Sequence, residues 1–319
     1  MPARADRGKL EIVFGFGKAA CERSGSTTNM RASDFAVSPK EANPLHGRDP
    51  GYTGGFGSKE EAREKLELDV SKLAERQELF FAARSFALLI ILQGMDSAGK
   101  DSLIRHVLSG LDPQGVEVSS FRQPTEEESA HDYLWRCGRR LPERGKIGIF
   151  NRSYYEEVLV VRVHPRLLSA ESARKSATNP GFWSERFEDI LCFERHLFRA
   201  GTTIVKFFLH LSRKEQAKRL LDRIDRPEKR WKFSLADIQE REFWHEYESA
   251  YEEMLGATSA PEAPWYVLPA DYKWFTQLAA ASILIERLEE LKLRYPEPGA
   301  EIEADVSKAK EILKHELGH

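Results

Sequence analysis

The amino-acid sequence predicts an α/β protein with three layers, in which a central parallel sheet of five strands lies between two layers of helices. An unbroken apolar run, "FALLIILQ" at 86–93, precedes a glycine loop and a helical pattern, as a buried parallel strand does. Four further short apolar runs follow, and helical patterns separate them. This alternation requires crossover connections, which produce a parallel sheet covered on both faces.

The elements follow in order along the chain. An amphipathic helix over 59–85 has apolar residues at near-helical spacing and leads into the first strand at 86–93. The other strands are expected at 116–121, 146–150, 202–211 and 264–269. Helices are expected at 126–143, 183–199, 213–224, 235–255 and 273–293.

Composition divides the chain into three parts. Residues 1–57 are rich in Gly, Ser and Pro and predict a disordered or extended N-terminal arm. Residues 58–294 contain all the predicted strands and form one domain. Residues 295–319 predict a charged helical tail that prolines interrupt.

The overall charge and the cysteines restrict the possible functions. The net charge of −3 among 319 residues gives no general reason to expect nucleic acid or a membrane surface as a partner. Cys21, Cys137 and Cys192 are far apart and form no C-x-x-C pair, which argues against a disulfide framework or a zinc site. No apolar stretch has the length of a membrane span. A cytoplasmic protein is expected.

The loop after the first strand, "GMDSAGKDS" at 94–102, predicts a phosphate-binding site. The spacing from Gly94 to Gly99 and Lys100 fits the pattern G-x-x-x-x-G-K, but Asp101 stands where that pattern has a serine or threonine. Backbone N–H groups, the positive end of the following helix and the lysine would surround phosphate oxygens. The residues expected to contribute are Gly94, Ser97, Ala98, Gly99, Lys100 and Asp101.

Asp96 places a carboxylate inside this loop. Two anions in contact repel each other, so a phosphate beside Asp96 requires a bridging Mg²⁺. Asp96 is therefore expected either to bind the metal or to orient an acceptor phosphate. The alternative is a carboxylate that only caps the helix.

Ligands of such sheets bind beyond the carboxyl ends of the strands, where basic residues are frequent in this chain. Arg122 follows the second strand, and Arg136, Arg139 and Arg140 come shortly after it. The last two fit a solvated helix face equally well.

The third and fourth strands are followed by further candidates. Asn151, Arg152 and Glu156 follow the third strand, and Arg152 suits the neutralisation of charge on a transferred phosphoryl group. After the fourth strand, a basic helix and loop over 213–232 have the usual position of a lid. Its expected phosphate-binding residues include Arg213, Arg230 and Lys232.

Several long segments together resemble the polyphosphate kinase 2 family: "LLIILQGMDSAGKDSLIRHVLSGLDPQGVEVSSFRQPT", "IGIFNRSYYEEVLVVRVHP", "HLSRKEQAKRLLDRIDRPEKRWKFS" and "TSAPEAPWYVLPADYKWF". The resemblance implies a thymidylate-kinase-like P-loop fold that transfers the terminal phosphate of inorganic polyphosphate to a nucleotide with Mg²⁺ or Mn²⁺. It implies that Asp96 and Lys100 act in the loop, that Arg136 and Arg213 contact polyphosphate, and that 226–234 is the lid.

One position departs from the common family pattern. Asn151 stands where most members have aspartate, and "FNRSYYEEVLV" resembles the subgroup, class III, that accepts both AMP and ADP. In that subgroup the residue equivalent to Glu156 also belongs to the site. An amide is a poorer metal ligand than a carboxylate, so Asn151 is less suited to bind the metal directly. Asp96 is therefore the main expected metal ligand. A homo-oligomer, either a dimer or a tetramer, is expected.

Two alternatives remain at this point. An ATP-dependent nucleotide kinase could share the fold, although the many arginines and the absent loop hydroxyl argue against it. A non-catalytic polyanion or nucleic-acid binder could use the basic helix, although the near-neutral net charge makes this the weaker idea. An assay with polyphosphate as the sole donor distinguishes the three.

Overall fold

The computed structural model describes residues 30–317 and confirms the predicted fold class. Five parallel strands form one sheet in the order β2-β3-β1-β4-β5. Their bounds are β1 Ala87–Gln93, β2 Val116–Ser120, β3 Ile147–Asn151, β4 Thr202–His210 and β5 Trp265–Pro269.

Twelve α-helices connect and cover the strands within the described residues. They are α1 Lys59–Ala83, α2 Lys100–Val107, α3 Glu126–Ser129, α4 Trp135–Gly138, α5 Val160–Val163, α6 Ala170–Thr178, α7 Phe182–Arg199, α8 Arg213–Asp225, α9 Leu235–Gln239, α10 Trp244–Thr258, α11 Lys273–Glu290 and α12 Ala300–Glu316. Short 3-10 helices lie at Ala32–Asp34, Pro113–Gly115, Tyr154–Val158, Pro165–Leu167, Pro227–Lys232 and Glu240–Phe243.

The central strand β1 separates two hydrophobic cores. Leu88, Ile90 and Leu92 pack into one core with side chains of α1, α2 and α11. Leu89 and Ile91 point to the opposite face and pack with side chains of α7 and α10. Because alternate residues of a strand face opposite sides, an apolar run without polar interruption is what this buried position requires.

The register of the strands places the carboxyl ends of β1, β2 and β3 together. Leu92 of β1 lies beside Asn151, the last residue of β3, and Ser120 of β2 lies on the other side of Asn151. The segments that leave these three strands therefore start from one edge of the sheet.

Two predicted helices are interrupted in the structure. Instead of one helix over 126–143, α3 and α4 are separated by a turn in which the Asp132 carboxylate accepts a hydrogen bond from the backbone N–H of Leu134. Such side-chain bonds compete with helical ones. The predicted helix over 235–255 contains the 3-10 turn Glu240–Phe243, where Glu240 bonds to His164 and Tyr247. These are tertiary contacts, which periodicity does not reveal.

The described part of the N-terminal arm, residues 30–57, lies against the domain. The N–H of Val37 donates to Trp265 O, the N–H of Val267 donates to Phe35 O, and both Phe35 and Val37 are buried. This stretch runs beside strand β5, so it orders by using the apolar surface of the core. Residues 1–29 of the predicted arm lie outside the described residues.

At the other end of the chain, every described side chain of α12 is exposed. The division of the chain into an arm, a domain and a tail stays a prediction. No helix within 30–317 is long and apolar enough to cross a membrane.

Candidate active site

The loop between β1 and α2 has a backbone that requires glycine. Gly94 and Gly99 have φ values of +150° and +113°, and Ser97 also has a positive φ of +66°. A Cβ on Gly94 would lie 2.9 Å from Leu209 O at the end of β4. Glycine is therefore needed both for the close approach to β4 and for the turn into α2.

Lys100 is the first residue of α2 and is buried beneath the loop, with 9% of its surface exposed. Its Nζ donates hydrogen bonds to Gly94 O at 2.5 Å and to Met95 O at 3.2 Å. Burial, aided by the charge of Arg152, lowers the pKa of Lys100 to about 8. The loop thus holds a desolvated cation, whose interaction with an anion is stronger than it would be in water.

Arg152 bridges two carboxylates immediately after β3. Its Nη2 lies 2.5 Å from Asp96 Oδ1 and its Nη1 lies 3.0 Å from Glu156 Oε2. The charge of Glu156, opposed by burial and supported by Asp96, raises the pKa of Arg152, which stays charged. The structure therefore places three of the predicted catalytic side chains, Asp96, Arg152 and Glu156, in one contact group.

A divalent metal fits this group only if a substrate supplies further oxygen ligands. The described residues contain no group of three or more His, Cys, Asp or Glu side chains that could hold a metal ion. Asp96 nevertheless presents a carboxylate with 31% of its side chain exposed at the loop. Since Mg²⁺ is commonly bound by one or two carboxylates together with substrate phosphates, Asp96 suits a metal that arrives with a phosphorylated ligand.

Asn151 is bonded to Asp101, which is neither of the two acids that Arg152 contacts. Its Nδ2 donates to Asp101 Oδ1 at 2.9 Å, and Lys232 Nζ lies 3.5 Å from Asp101 Oδ2. Burial opposes ionisation of Asp101, but the hydrogen bond from Asn151 and the charge of Lys232 outweigh it and lower the Asp101 pKa. Asp101 thereby connects the start of α2 to β3 and to the predicted lid.

A cleft of about 770 Å³ opens above the loop. The predicted site residues that line it are Asp96, Ser97, Ala98, Gly99, Lys100, Asp101, Arg122, Asn151, Arg152 and Lys232. A second pocket, of about 40 Å³, is lined by Gly94, Glu156 and the aromatic residues Trp244, Tyr247 and Tyr251. Asp96 and Arg152 line both spaces, so they mark the point where the two meet.

Three predicted phosphate-binding arginines do not line the cleft. Arg136 donates to Arg122 O at 2.8 Å and lies over the ring of Phe121, so it supports the segment after β2. Arg213 is exposed, with its Nη2 3.4 Å from Arg241 O. Arg230 is exposed and donates to Ile224 O. Direct contact of these three with phosphate stays a prediction.

Arg219 was not among the predicted site residues, although it is part of the cleft wall. Its Nη1 donates to Ser97 O at 3.0 Å and to Ala98 O at 2.9 Å, and its Nη2 donates to Ala270 O and Asp271 O. It therefore braces the loop from α8. Nothing in the basic run of α8 distinguishes it, because only the folded helix shows which arginine faces inward.

Four further basic residues line the cleft. Arg223 and Lys229 belong to the predicted basic helix and loop over 213–232, whereas Arg105 and Lys273 were not predicted. Lys273 opens α11 shortly after β5, so applying the carboxyl-end rule to the fifth strand would have found it. In all, nine basic and four acidic side chains line the cleft.

This chain is similar to a family model and to several known proteins. The family model described as Polyphosphate kinase 2 matches residues 57–296. A relative from Rhodopseudomonas palustris named ADP-polyphosphate phosphotransferase is 51% identical over 243 residues, which cover 76% of this chain and 84% of the relative. One from Meiothermus ruber named AMP/ADP-polyphosphate phosphotransferase is 44% identical over 265 residues, covering 83% and 95%.

The solved structures include a similar fold. The crystal structure of polyphosphate kinase 2 from Arthrobacter aurescens TC1 superposes with a TM-score of 0.80 at 37% identity, and the match covers 91% of this chain and 100% of that one. The family model and this structural match together cover almost the whole described chain. The chain belongs to the polyphosphate kinase 2 family.

Proposed function

We propose that this protein transfers the terminal phosphate of inorganic polyphosphate to AMP and ADP, forming ADP and ATP. The observation that carries the proposal is the excess of nine basic over four acidic side chains around the cleft. A donor that consists only of phosphates has no base to recognise, so a long basic cleft suffices to bind it. The name of the Meiothermus ruber relative contains both acceptors, AMP and ADP, and that of the Rhodopseudomonas palustris relative contains ADP.

The loop and the residue that follows β3 have different roles in phosphoryl transfer. The loop amides and Lys100 hold phosphate oxygens at the N-terminal end of α2. Arg152 neutralises the charge that spreads over the transferred group, since it lies where the cleft and the smaller pocket meet. Positioning and neutralisation are the main requirements of this reaction.

Mg²⁺, or Mn²⁺ in its place, would be held by Asp96 and would supply charge neutralisation between donor and acceptor phosphates. Asp96 is bonded to Arg152 through one carboxylate oxygen, Oδ1. The guanidinium of Arg152 thus fixes the direction of the Asp96 carboxylate. The same contact keeps Arg152 beside the reacting group.

The predicted lid closes the cleft over the donor. Lys229 and Lys232, in the 3-10 helix Pro227–Lys232, line the cleft. Lys232 already lies 3.5 Å from Asp101 at the base of the loop. Closure over phosphates expels water, which strengthens these ionic contacts.

The use of two acceptors follows from the segment after β3. The neutral amide of Asn151 repels an additional acceptor phosphate less than an aspartate would. Glu156 lies on the 3-10 helix Tyr154–Val158 that follows β3 and lines the smaller pocket, where it could bind a water or metal when AMP is the acceptor. A cytoplasmic location and a homo-oligomeric state, either a dimer or a tetramer, stay predictions.

The test supplies purified protein with polyphosphate, Mg²⁺ and AMP, in the absence of ATP and adenylate kinase. We expect ADP to accumulate first and ATP later. A reaction that requires ATP as donor would instead identify an ATP-dependent nucleotide kinase, and binding without turnover would identify a polyanion-binding protein. A reaction that stops at ADP, or proceeds only from ADP, would contradict the dual acceptor specificity alone.

Two variants test the residues behind the acceptor choice. Asn151→Asp and Glu156→Ala should each change the ratio of AMP to ADP turnover. Arg139→Gln is the matched control, because Arg139 is an exposed residue outside both spaces. Unchanged ratios in the first two variants would remove these side chains from the explanation.

A further inference from the structure

A fully buried ion pair lies beneath the candidate active site. Lys206, in the middle of β4, and Glu194, on α7, have 0% and 1% of their side chains exposed, and Nζ lies 2.6 Å from Oε2. Removing two charges from water costs several kcal/mol for each ion, and an apolar pair of similar size often stabilises a core equally well. Stability alone therefore does not account for this pair.

The pair is the centre of a hydrogen-bond network with two tyrosines. Lys206 Nζ also donates to Tyr155 Oη at 2.9 Å and to Thr258 O at 2.8 Å, so all three of its protons are used. Glu194 Oε1 accepts from Tyr155 Oη at 2.7 Å and from Tyr154 Oη at 2.9 Å. Burial, with the nearby Glu194 carboxylate, holds the pKa of both phenols well above the ordinary value, so both stay protonated donors.

These tyrosines are attached directly to the turn that bears Arg152. Arg152 has a φ of +64°, a left-handed backbone that is costly for a residue with a side chain. Ser153 follows it, and its Oγ accepts hydrogen bonds from Tyr155 N at 3.2 Å and from Gln93 Nε2 at 3.4 Å. Tyr154 and Tyr155 then begin the short helix that carries Glu156, the partner of Arg152.

A strained turn persists only where its surroundings hold it in place. Below the turn, the backbone N–H of Arg152 donates to Leu92 O on β1 at 3.1 Å, and the two phenol hydroxyls anchor the residues that follow on the buried pair. Above it, the only side chains bonded to the guanidinium within the described residues are Asp96 and Glu156. The orientation of the guanidinium therefore depends on the position of the two tyrosine rings as well as on the bond to β1.

We propose that Glu194 and Lys206 are positioning residues for phosphoryl transfer, which act through Tyr154 and Tyr155 to hold the turn of Arg152. The proposal rests on the proposed function, because it assigns them an effect on the residue that neutralises the transferred group. Neither side chain reaches the cleft. Their effect is on the direction of a planar guanidinium, whose paired N–H groups need a defined geometry.

The primary test is Tyr155→Phe, which keeps the ring and removes the hydroxyl that bonds to both members of the pair. Since a misplaced catalytic group costs rate rather than ground-state affinity, we expect kcat to fall by about tenfold and KM for both substrates to change less than about threefold. Ser282→Ala is the matched control: Ser282 Oγ bonds to Asp69, a buried carboxylate paired with Lys65, between α1 and α11. It removes a similar contact far from the turn and should leave kcat unchanged.

A second background separates positioning from general stability. In Arg152→Lys the planar group is replaced by a point charge on a flexible stem, which depends less on the direction of the turn. Tyr155→Phe should therefore lower kcat less than about twofold in that background, whereas independent effects would multiply. Thermal denaturation of each variant verifies that it is folded, and Tyr154→Phe replaces Tyr155→Phe if the latter does not fold.

An equal fall in kcat in both backgrounds, or an unchanged kcat in the wild-type background, would overturn the proposal. So would a loss of kcat in Ser282→Ala as large as that in Tyr155→Phe. The measurements use whichever donor the wild-type protein accepts, polyphosphate or ATP. A failure of the polyphosphate reaction is therefore recognised in the wild-type protein, separately from a failure of the positioning proposal.

Discussion

Replacement of Lys100 by methionine tests the chemistry of the loop most directly. The substitution Lys100→Met keeps most of the volume of the side chain and removes its charge. Lys100 is buried, and its ammonium is bonded to the carbonyls of Gly94 and Met95 beneath the loop. The change therefore removes the cation without opening a large cavity.

The size of the effect follows from Coulomb's law. A unit charge about 4 Å from a phosphate oxygen contributes about 4 kcal/mol at an effective dielectric constant of about 20. Loss of one preorganised charge contact of this kind typically reduces turnover by about 10² to 10³. We therefore expect Lys100→Met to lower kcat/KM by at least about a hundredfold.

Stability should change in the opposite direction. Because burial lowers the pKa of Lys100 from 10.5 to about 8, the charged lysine is penalised on folding, by up to about 3 kcal/mol. The penalty is complete below about pH 8 and fades as the pH rises towards 10.5. Lys100→Met should thus have a Tm no lower than that of the wild-type protein at pH 7, and the difference should shrink at higher pH.

The assay measures ATP formed from ADP and polyphosphate, together with the thermal denaturation of both proteins at pH 7 and pH 9. A variant that keeps kcat/KM within about tenfold of wild type would refute the role given to the ammonium. A variant that loses activity and also unfolds well below the wild-type temperature would show that Lys100 supports the fold instead.

Two other predictions concern the metal and the lid. Asp96→Asn should lower turnover by at least about a hundredfold and raise the Mg²⁺ concentration needed for half-maximal rate, because the carboxylate is the proposed metal ligand; an unchanged Mg²⁺ titration would contradict that assignment. Lys232→Gln should raise KM for polyphosphate more than KM for ADP, and more than Arg230→Gln does, since Lys232 lines the cleft and Arg230 is bonded to Ile224 O outside it. Equal effects of the two variants in steady-state kinetics would argue against this difference.

The sequence was sufficient for the fold class, the five strands and the loop. Apolar runs and glycine spacing are local properties, and both directly reflect burial and backbone geometry. The capping box of Thr125 and Glu128 at the start of α3 is another local feature, since it depends on two residues three positions apart. The interruptions after Ser129 and at Glu240 were missed because they depend on contacts with side chains that periodicity does not include.

The arrangement of the site was decided by tertiary structure. The sequence indicated that Asp96, Arg152 and Glu156 matter, but only the parallel register of β1 and β3 brings residue 96 to the guanidinium of residue 152. Arg219 and Arg136 look alike in the sequence, yet one braces the loop and the other supports the segment after β2. The sequence pattern determines which residues can be buried or charged. The direction of each side chain depends on neighbours that are distant in sequence. The buried pair of Glu194 and Lys206 is an example, because only the folded chain brings the two side chains together.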